Sequence, residues 1–249
     1  MGRTLYQRPI AAAILWLLMD FSVTPGFALD RIDSPNVTQG EFDLEYNGSR
    51  TFDQTSDKNN IQGHEVTIGY TPTDRWGTEI DGLFDHEPDQ NEKLQAMQWL
   101  NSFQFFEHNE MWVDSGMTVA YATSTQSHQP SEVEVKLLLE KEWGEFNHIA
   151  NLGFSQEVGS NATGGPDLLF LWSSRYKYSE QLQPGFEIQS DFGKTDENLS
   201  FQQQKHYIGP ALYGDITEHV GYEAAYLFGI TDAASQSAVR LLLQYHTSF

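Results

Sequence analysis

Large apolar residues alternate with polar or small ones along most of the chain from Gly40 onward. In the last run, Val239 and Leu241 fall on one face, and Arg240 and Gln244 fall on the other. A period of two residues is typical of a β-strand that has one apolar and one polar face. The C-terminal run is therefore predicted to be a strand, and so are the runs that precede it.

Twelve such runs are separated by stretches rich in turn-forming residues. They lie near residues 40–53, 62–71, 75–86, 93–106, 110–122, 132–142, 146–158, 167–179, 184–194, 203–214, 219–229 and 237–249. Short connections alternate with long ones, as they do at the two ends of a transmembrane barrel. The pattern predicts an all-β fold, a closed antiparallel up-and-down transmembrane β-barrel of about 12 strands.

The composition indicates why the strands should close on themselves. The mean hydropathy of −0.49 leaves no room for a bundle of transmembrane helices, since each needs about 20 nearly unbroken apolar residues. Roughly 60 % strand would be far above the usual share in a globular domain. A closed barrel satisfies its backbone hydrogen bonds internally, which allows β-strands to cross lipid. A soluble exported β-sandwich is the alternative that the pattern leaves open.

The first 28 residues have the features of a secretory signal peptide. Arg3 and Arg8 precede an apolar run, and small residues stand before a cut near Leu29. The run is shorter than a bilayer span, and an uncleaved anchor or a buried helix is the alternative. We therefore expect a cleaved signal peptide at 1–28, a short periplasmic segment at 29–39 and a barrel at 40–249.

Acidic residues dominate the charge of the chain. There are 35 Asp and Glu against 14 Lys and Arg, a net charge of −21. Removing Arg3, Arg8 and Asp20 with the signal peptide takes away +2 and −1, so the mature charge would be −22. This charge argues against a nucleic-acid partner, because phosphate binding depends on Lys and Arg. The absence of Cys excludes disulfides and thiolate metal sites.

The polar faces of the runs would line the inside of the barrel, and they are mainly acidic. The candidate selectivity residues are Glu65, Glu79, Asp81, Asp114, Glu134, Glu140, Glu187, Asp191 and Glu223. The basic residues on the same faces are Lys136, Arg175, Lys177 and Arg240. A wet lumen of this charge would favour cations, as rings of acidic side chains do in cation pores. Alternatively, the acids pair with the bases and fill the interior, which would leave no open path.

Signals for catalysis, metals and cofactors are weak. The sequence has eight His but no Gly-x-Ser-x-Gly motif, the turn that exposes the nucleophile of many hydrolases. The loop Asp85-His86-Glu87-Pro88-Asp89 offers oxygen and imidazole ligands, although a solvated acidic turn is the ordinary interpretation. We expect no catalytic residue, no metal and no cofactor.

The C-terminal run ends at Phe249, with Tyr245 and other apolar residues at alternate positions before it. This ending is similar to the signal that the barrel assembly machinery recognises, and the chain resembles a bacterial outer-membrane β-barrel. Residues 69–76 and 221–234 resemble turns and hairpins of outer-membrane transporters related to proteins of phenol-degradation pathways, the MetA-like group. The resemblance implies a location in the bacterial outer membrane. The implied partners are membrane lipid, lipopolysaccharide and the assembly machinery.

These observations predict a non-enzymatic outer-membrane channel that passes small cationic or neutral solutes passively through an acidic lumen. The alternatives are a closed structural or adhesive barrel and a lipid-modifying enzyme. The transported solute, the pore size, gating and the oligomeric state do not follow from the sequence.

Overall fold

The computed structural model describes residues 29–86 and 93–248. The strands are β1 (Glu41–Phe52), β2 (Gln62–Thr73), β3 (Trp76–His86), β4 (Lys93–Gln104), β5 (Asp114–Ser124), β6 (Ser131–Trp143), β7 (Phe146–Val158), β8 (Asp167–Tyr176), β9 (Gln183–Lys194), β10 (Lys205–Thr217), β11 (Val220–Gly229) and β12 (Ser237–Ser248). One 3-10 turn, Phe201–Gln203, precedes β10. Among the residues described, no helix has the length and apolar character needed to cross a membrane. The predicted signal peptide at 1–28, Phe249 and most of the Asp85–Asp89 loop lie outside the described residues.

The strands form one closed barrel in which each strand pairs with its neighbours in sequence and β1 pairs with β12. The closing pair runs without a break from Glu41 opposite Ser248 to Phe52 opposite Ser237. All pairings are antiparallel. Closure leaves no strand edge unpaired. The predicted closed antiparallel barrel of twelve strands is confirmed.

The outer wall of the barrel is apolar. Its exposed side chains include Leu44, Ile68, Ile80, Trp99, Leu137, Phe154, Leu212 and Phe228. These residues alternate along their strands with inward positions that are mainly polar or small. The alternation is the one expected of a barrel whose outside meets hydrocarbon and whose inside is wet.

The two ends of the barrel differ in their connections. Two-residue turns at 74–75, 144–145 and 218–219 lie where β1 begins and β12 ends, which we call the short-turn end. Longer loops at 53–61, 159–166, 195–204 and 230–236 lie at the opposite, long-loop end. In outer-membrane barrels short turns face the periplasm and long loops face the outside. Three of the most exposed aromatic residues, Trp112, Trp143 and Tyr178, lie at the short-turn end.

Strand boundaries differ from the sequence analysis mainly on either side of the β4–β5 connection. β5 begins at Asp114 rather than near residue 110, and β4 ends at Gln104. The backbone N–H of Glu110 donates to the carbonyl of Glu107, and Asn109 has a φ of 62°. These features make 105–113 a turn, although its apolar residues continue the alternating pattern.

Candidate solute path through the barrel

The residues that precede β1 lie inside the barrel. The backbone N–H of Leu29 donates to Ser49 Oγ at 2.9 Å, and that of Asp33 donates to Asn151 Oδ1 at 2.7 Å. The N–H of Val37 donates to Gln104 Oε1 at 3.0 Å. Residues 29–38, here called the inner segment, therefore run from the level of Ser49 down to the short-turn end.

The position of the inner segment corrects the sequence analysis, which placed 29–39 in the periplasm. Inward-facing amide side chains form hydrogen bonds with its backbone. Asn151, for example, accepts from the N–H of Asp33 and also donates from Nδ2 to the Asp33 carbonyl at 2.8 Å. Two apolar side chains anchor it. Leu29 packs with a buried cluster on β10–β12 that includes Tyr207 and Leu227, and Ile32 packs on Ile149 of β7.

Arg31 of the inner segment binds three carboxylates. Its guanidinium lies 2.7 Å from Glu45 on β1, 2.7 Å from Glu79 on β3 and 2.6 Å from Asp33. Guanidinium–carboxylate hydrogen bonds are among the strongest in proteins. Arg31 therefore fixes the segment against one side of the wall.

A second group of charges lies on the β8–β12 wall. Arg240 contacts Glu187 at 2.5 Å and Glu223 at 2.8 Å, and Arg175 contacts Glu223 at 2.7 Å. The Tyr213 hydroxyl donates to Glu187 at 2.9 Å. This cluster closes part of the bore by ion pairing, in line with the alternative in which acids and bases fill the interior.

Open space remains between the inner segment and the wall at the short-turn end. This cavity has a volume of about 310 Å³. Its acidic lining includes Glu41, Asp43, Glu45 and Glu79. Among the residues described, neither Glu41 nor Asp43 takes part in a salt bridge. The cavity is therefore a net acidic space at one mouth of the bore.

The structure distributes the candidate lumen residues unevenly. Those on the inner wall are Glu65, Glu79, Asp81, Glu134, Lys136, Glu140, Arg175, Glu187, Asp191, Glu223 and Arg240. Asp114 stands at the start of β5, 2.7 Å from His108. Lys177 lies beyond the end of β8 and pairs with Glu142, because β8 stops at Tyr176 and the alternation does not continue into the turn. Tyr245 is outward and 42 % exposed.

Two of the inner-wall candidates, Lys136 and Glu140, already bind other groups of the protein. Lys136 lies 3.2 Å from Glu134 and 3.5 Å from Asp33 of the inner segment. Glu140 accepts hydrogen bonds from Ser34 Oγ at 2.5 Å and from Asn147 Nδ2 at 2.8 Å. These residues hold the inner segment in place as well as lining the bore.

Sequence reasoning missed Arg31 and Asp33 because they precede the first alternating run. It also left out the amides Gln104, Asn151 and Gln189, whose partners lie in the inner segment. The sequence signal that could have identified them is an amide side chain on the polar face of a run, among small or charged residues. Such a side chain can both donate to and accept from a backbone.

The comparisons with known proteins show the fold. No protein-family model matches the sequence, and no curated protein matches it. The COG4313 outer membrane channel from Pseudomonas putida F1 has a TM-score of 0.64 at 12 % identity, over 88 % of this chain and 99 % of that chain. The KdgM porin in complex with disordered oligogalacturonate gives 0.55 at 8 % identity, over 84 % and 99 % of the two chains. A second structure of the KdgM porin gives 0.55 at 10 % identity, over 83 % and 99 %. The barrel is thus similar in fold to bacterial outer-membrane channels.

Proposed function

We propose that this protein is an outer-membrane channel through which small cations and neutral solutes pass passively. The observation that carries the proposal is the cavity at the short-turn end, with Glu41, Asp43, Glu45 and Glu79 in its lining. Carboxylates that face a common wet space attract cations and repel anions. Arg31 neutralises part of this charge, so the site remains acidic without being a continuous ring of unpaired acids.

The proposed location in the outer membrane is supported by the wall of the barrel. Its outward side chains are apolar, and exposed aromatic residues mark the short-turn end. Export through a cleaved signal peptide and recognition of Tyr245 and Phe249 by the assembly machinery belong to the same proposal. The fold similarity to outer-membrane channels rather than enzymes favours transport over catalysis.

The acidic mouth of this barrel favours a different kind of solute from the one described for the KdgM porin. The KdgM porin is described in complex with oligogalacturonate, which is a polyanion. Glu41 and Asp43 at the mouth of this bore would repel such a chain. Membership of the MetA-like group is proposed only from the resemblance of residues 69–76 and 221–234.

Planar-bilayer recording tests the proposal. We expect the purified barrel to conduct, and its reversal potential in a KCl gradient to show preference for K⁺. Neutralising Glu41→Gln together with Asp43→Asn should reduce that preference. The matched control is Glu218→Gln, which removes an 88 % exposed carboxylate from a turn at the same end. Silence across salts and voltages, or anion preference, would reject the channel as proposed.

A closed structural barrel is the second candidate, and the inner segment favours it. Contacts from Leu29 to Val37 reach β1, β4 and β7, so the segment occupies much of the bore. Deleting residues 29–38 separates the candidates. If only the deletion variant conducts, the barrel as it exists is closed and the channel proposal fails.

A further inference from the structure

A crevice on the outside of the barrel is not used by the solute path. Inward contacts at Asn47 and Ser49 fix the even-numbered residues of β1 as outward. The crevice has a volume of about 280 Å³. Its lining, here called the Gly48 crevice, consists of outward residues and adjoining backbone, including Tyr46, Gly48, Arg50, His64 and Leu241.

Gly48 has no side chain at its outward position, and the Tyr46 ring leans over it to form the floor of the crevice. Gly48 pairs with His64 on β2 and with Leu241 on β12, so the gap lies between two strands that do carry side chains. A Cβ at residue 48 would lie 2.6 Å from the Tyr46 hydroxyl oxygen. That hydroxyl is in turn 2.6 Å from His64 Nδ1, and the two rings stack at 5.7 Å. The floor of the crevice is therefore a packed aromatic surface.

Arg50 places a positive charge at the upper edge of the crevice. It lies two residues before the end of β1, close to the long-loop end. Within the described part of the chain, Arg50 has no salt-bridge partner. Its Nε is buried without a hydrogen-bond partner, as is His64 Nε2. Its guanidinium carbon lies 5.5 Å from the centroid of the Phe52 ring.

An outward arginine without a carboxylate is costly on a membrane wall unless the membrane supplies an anion. Arg50 as a whole is only half-buried and has no carboxylate partner among the described residues, so its guanidinium is available to an anion from the membrane. A guanidinium matches the oxygen geometry of a phosphate. The apolar gap below it, between the Tyr46 ring and Leu241, suits a hydrocarbon chain.

We propose that the Gly48 crevice binds a phosphorylated lipid of the outer leaflet. The phosphate lies against Arg50, and one acyl chain descends across the Tyr46 ring beside Leu241. The long-loop end places Arg50 at headgroup depth in that leaflet. The inference rests on the proposed location in the outer membrane, not on conduction.

Lipid retention measured by native mass spectrometry tests the inference. The full barrel, purified in detergent, is titrated with bisphosphorylated lipid A and, separately, with the same lipid after removal of both phosphates. We expect Arg50→Gln to weaken binding of the phosphorylated lipid about tenfold, as the loss of one charge-assisted hydrogen bond would. Arg50→Lys keeps the charge without the planar fork and should weaken binding less.

The matched control is Lys58→Gln, which removes one positive charge from the neighbouring long loop. We expect it to leave binding unchanged. Heat-modifiable gel mobility shows whether each variant is folded, and should Arg50→Gln fail this check, Arg50→Lys carries the comparison. Equal binding of the two lipid A forms would overturn the inference, as would equal effects of the Arg50 and Lys58 changes. Failure of the barrel to float with lipid vesicles would instead reject the membrane location.

Discussion

Arg240 of β12 forms a 2.5 Å ion pair with Glu187 of β9, although two strands separate them in the wall. Both side chains are fully buried. Because the partners are not on neighbouring strands, the pair extends across a sector of the bore. It links β9 to β12 on the inside, where no backbone hydrogen bond connects them.

Replacing Arg240 with Met should lower the free energy of unfolding by about 3–5 kcal/mol, because Glu187 would stay buried without its cation. Urea unfolding of the barrel in lipid measures the loss. Lys177→Met is the control, since it removes a half-exposed pair with Glu142 and should cost less than about 1 kcal/mol. Equal losses in the two variants would show that the buried pair has no special role.

Replacing Leu137 with Arg should lower the free energy of unfolding by about 2–4 kcal/mol. Leu137 is outward, 40 % exposed and at the midpoint of β6, opposite Leu152 of β7. At this depth a charge would meet hydrocarbon. The same change at Trp143, at the end of β6, should cost only about 0–1 kcal/mol near the interface. Urea unfolding of the two variants in lipid measures these losses. Similar losses of unfolding free energy at Leu137 and Trp143 would contradict the proposed position in the membrane.

Replacing Arg31 with Met should raise single-channel conductance. The change removes three charge-assisted contacts to Asp33, Glu45 and Glu79, each worth about 1.5–3 kcal/mol, so the inner segment should leave the wall more often. Arg75→Met is the control, because that side chain is 47 % exposed and pairs with Glu107 outside the bore. An unchanged conductance in the Arg31 variant would mean that the segment does not limit passage.

Asp53 should hold two long loops together in a pH-dependent way. It accepts hydrogen bonds from the N–H of Thr55 at 2.8 Å and from the N–H of Gln236 at 2.9 Å. The Thr55 N–H is the main cause of a pKa below the ordinary value for Asp53. A lowered pKa means that the contribution to stability is present above about pH 4 and is lost as the pH falls through the lowered value.

Trypsin cleavage after Lys58 measures, at neutral pH, how much the ionised Asp53 carboxylate protects the 53–61 loop. Asp53→Asn should make the 53–61 loop more susceptible, because the neutral amide is a weaker acceptor. Asp57→Asn, in the same loop, removes an equal charge and should have little effect. If both variants were cut equally, the loop contact would owe nothing to the Asp53 carboxylate.

The alternating pattern was sufficient to predict the barrel because strand pairing is local in sequence. β7 and β12 begin where the periodicity begins, at Phe146 and Ser237. The pattern was misleading at Met111 and Trp112, which continue the apolar run but lie in a turn and are highly exposed. An interface favours aromatic residues without requiring a strand, so periodicity alone does not mark the start of β5.

The candidate site was harder to predict because its contacts are distant in sequence. The N–H of Asp30 binds Gln189, 159 positions away, and that of Asp33 binds Asn151, 118 positions away. Charged residues before a first strand are equally compatible with a solvated linker. Arg31, Glu45 and Glu79 come together only when β1, β2 and β3 have paired and the inner segment has folded back against them.

The inner segment also implies an order of assembly. Its partners on β1, β4, β7 and β9 surround it only after β12 has paired with β1. The wall carboxylates that bind Arg31 lie on β1 and β3, whereas Leu29 packs on β10–β12, so both sets of contacts are made together only when β1 has paired with β12. The full set of contacts around the inner segment is therefore expected to form only after the strands have closed, although the segment precedes the first strand in sequence.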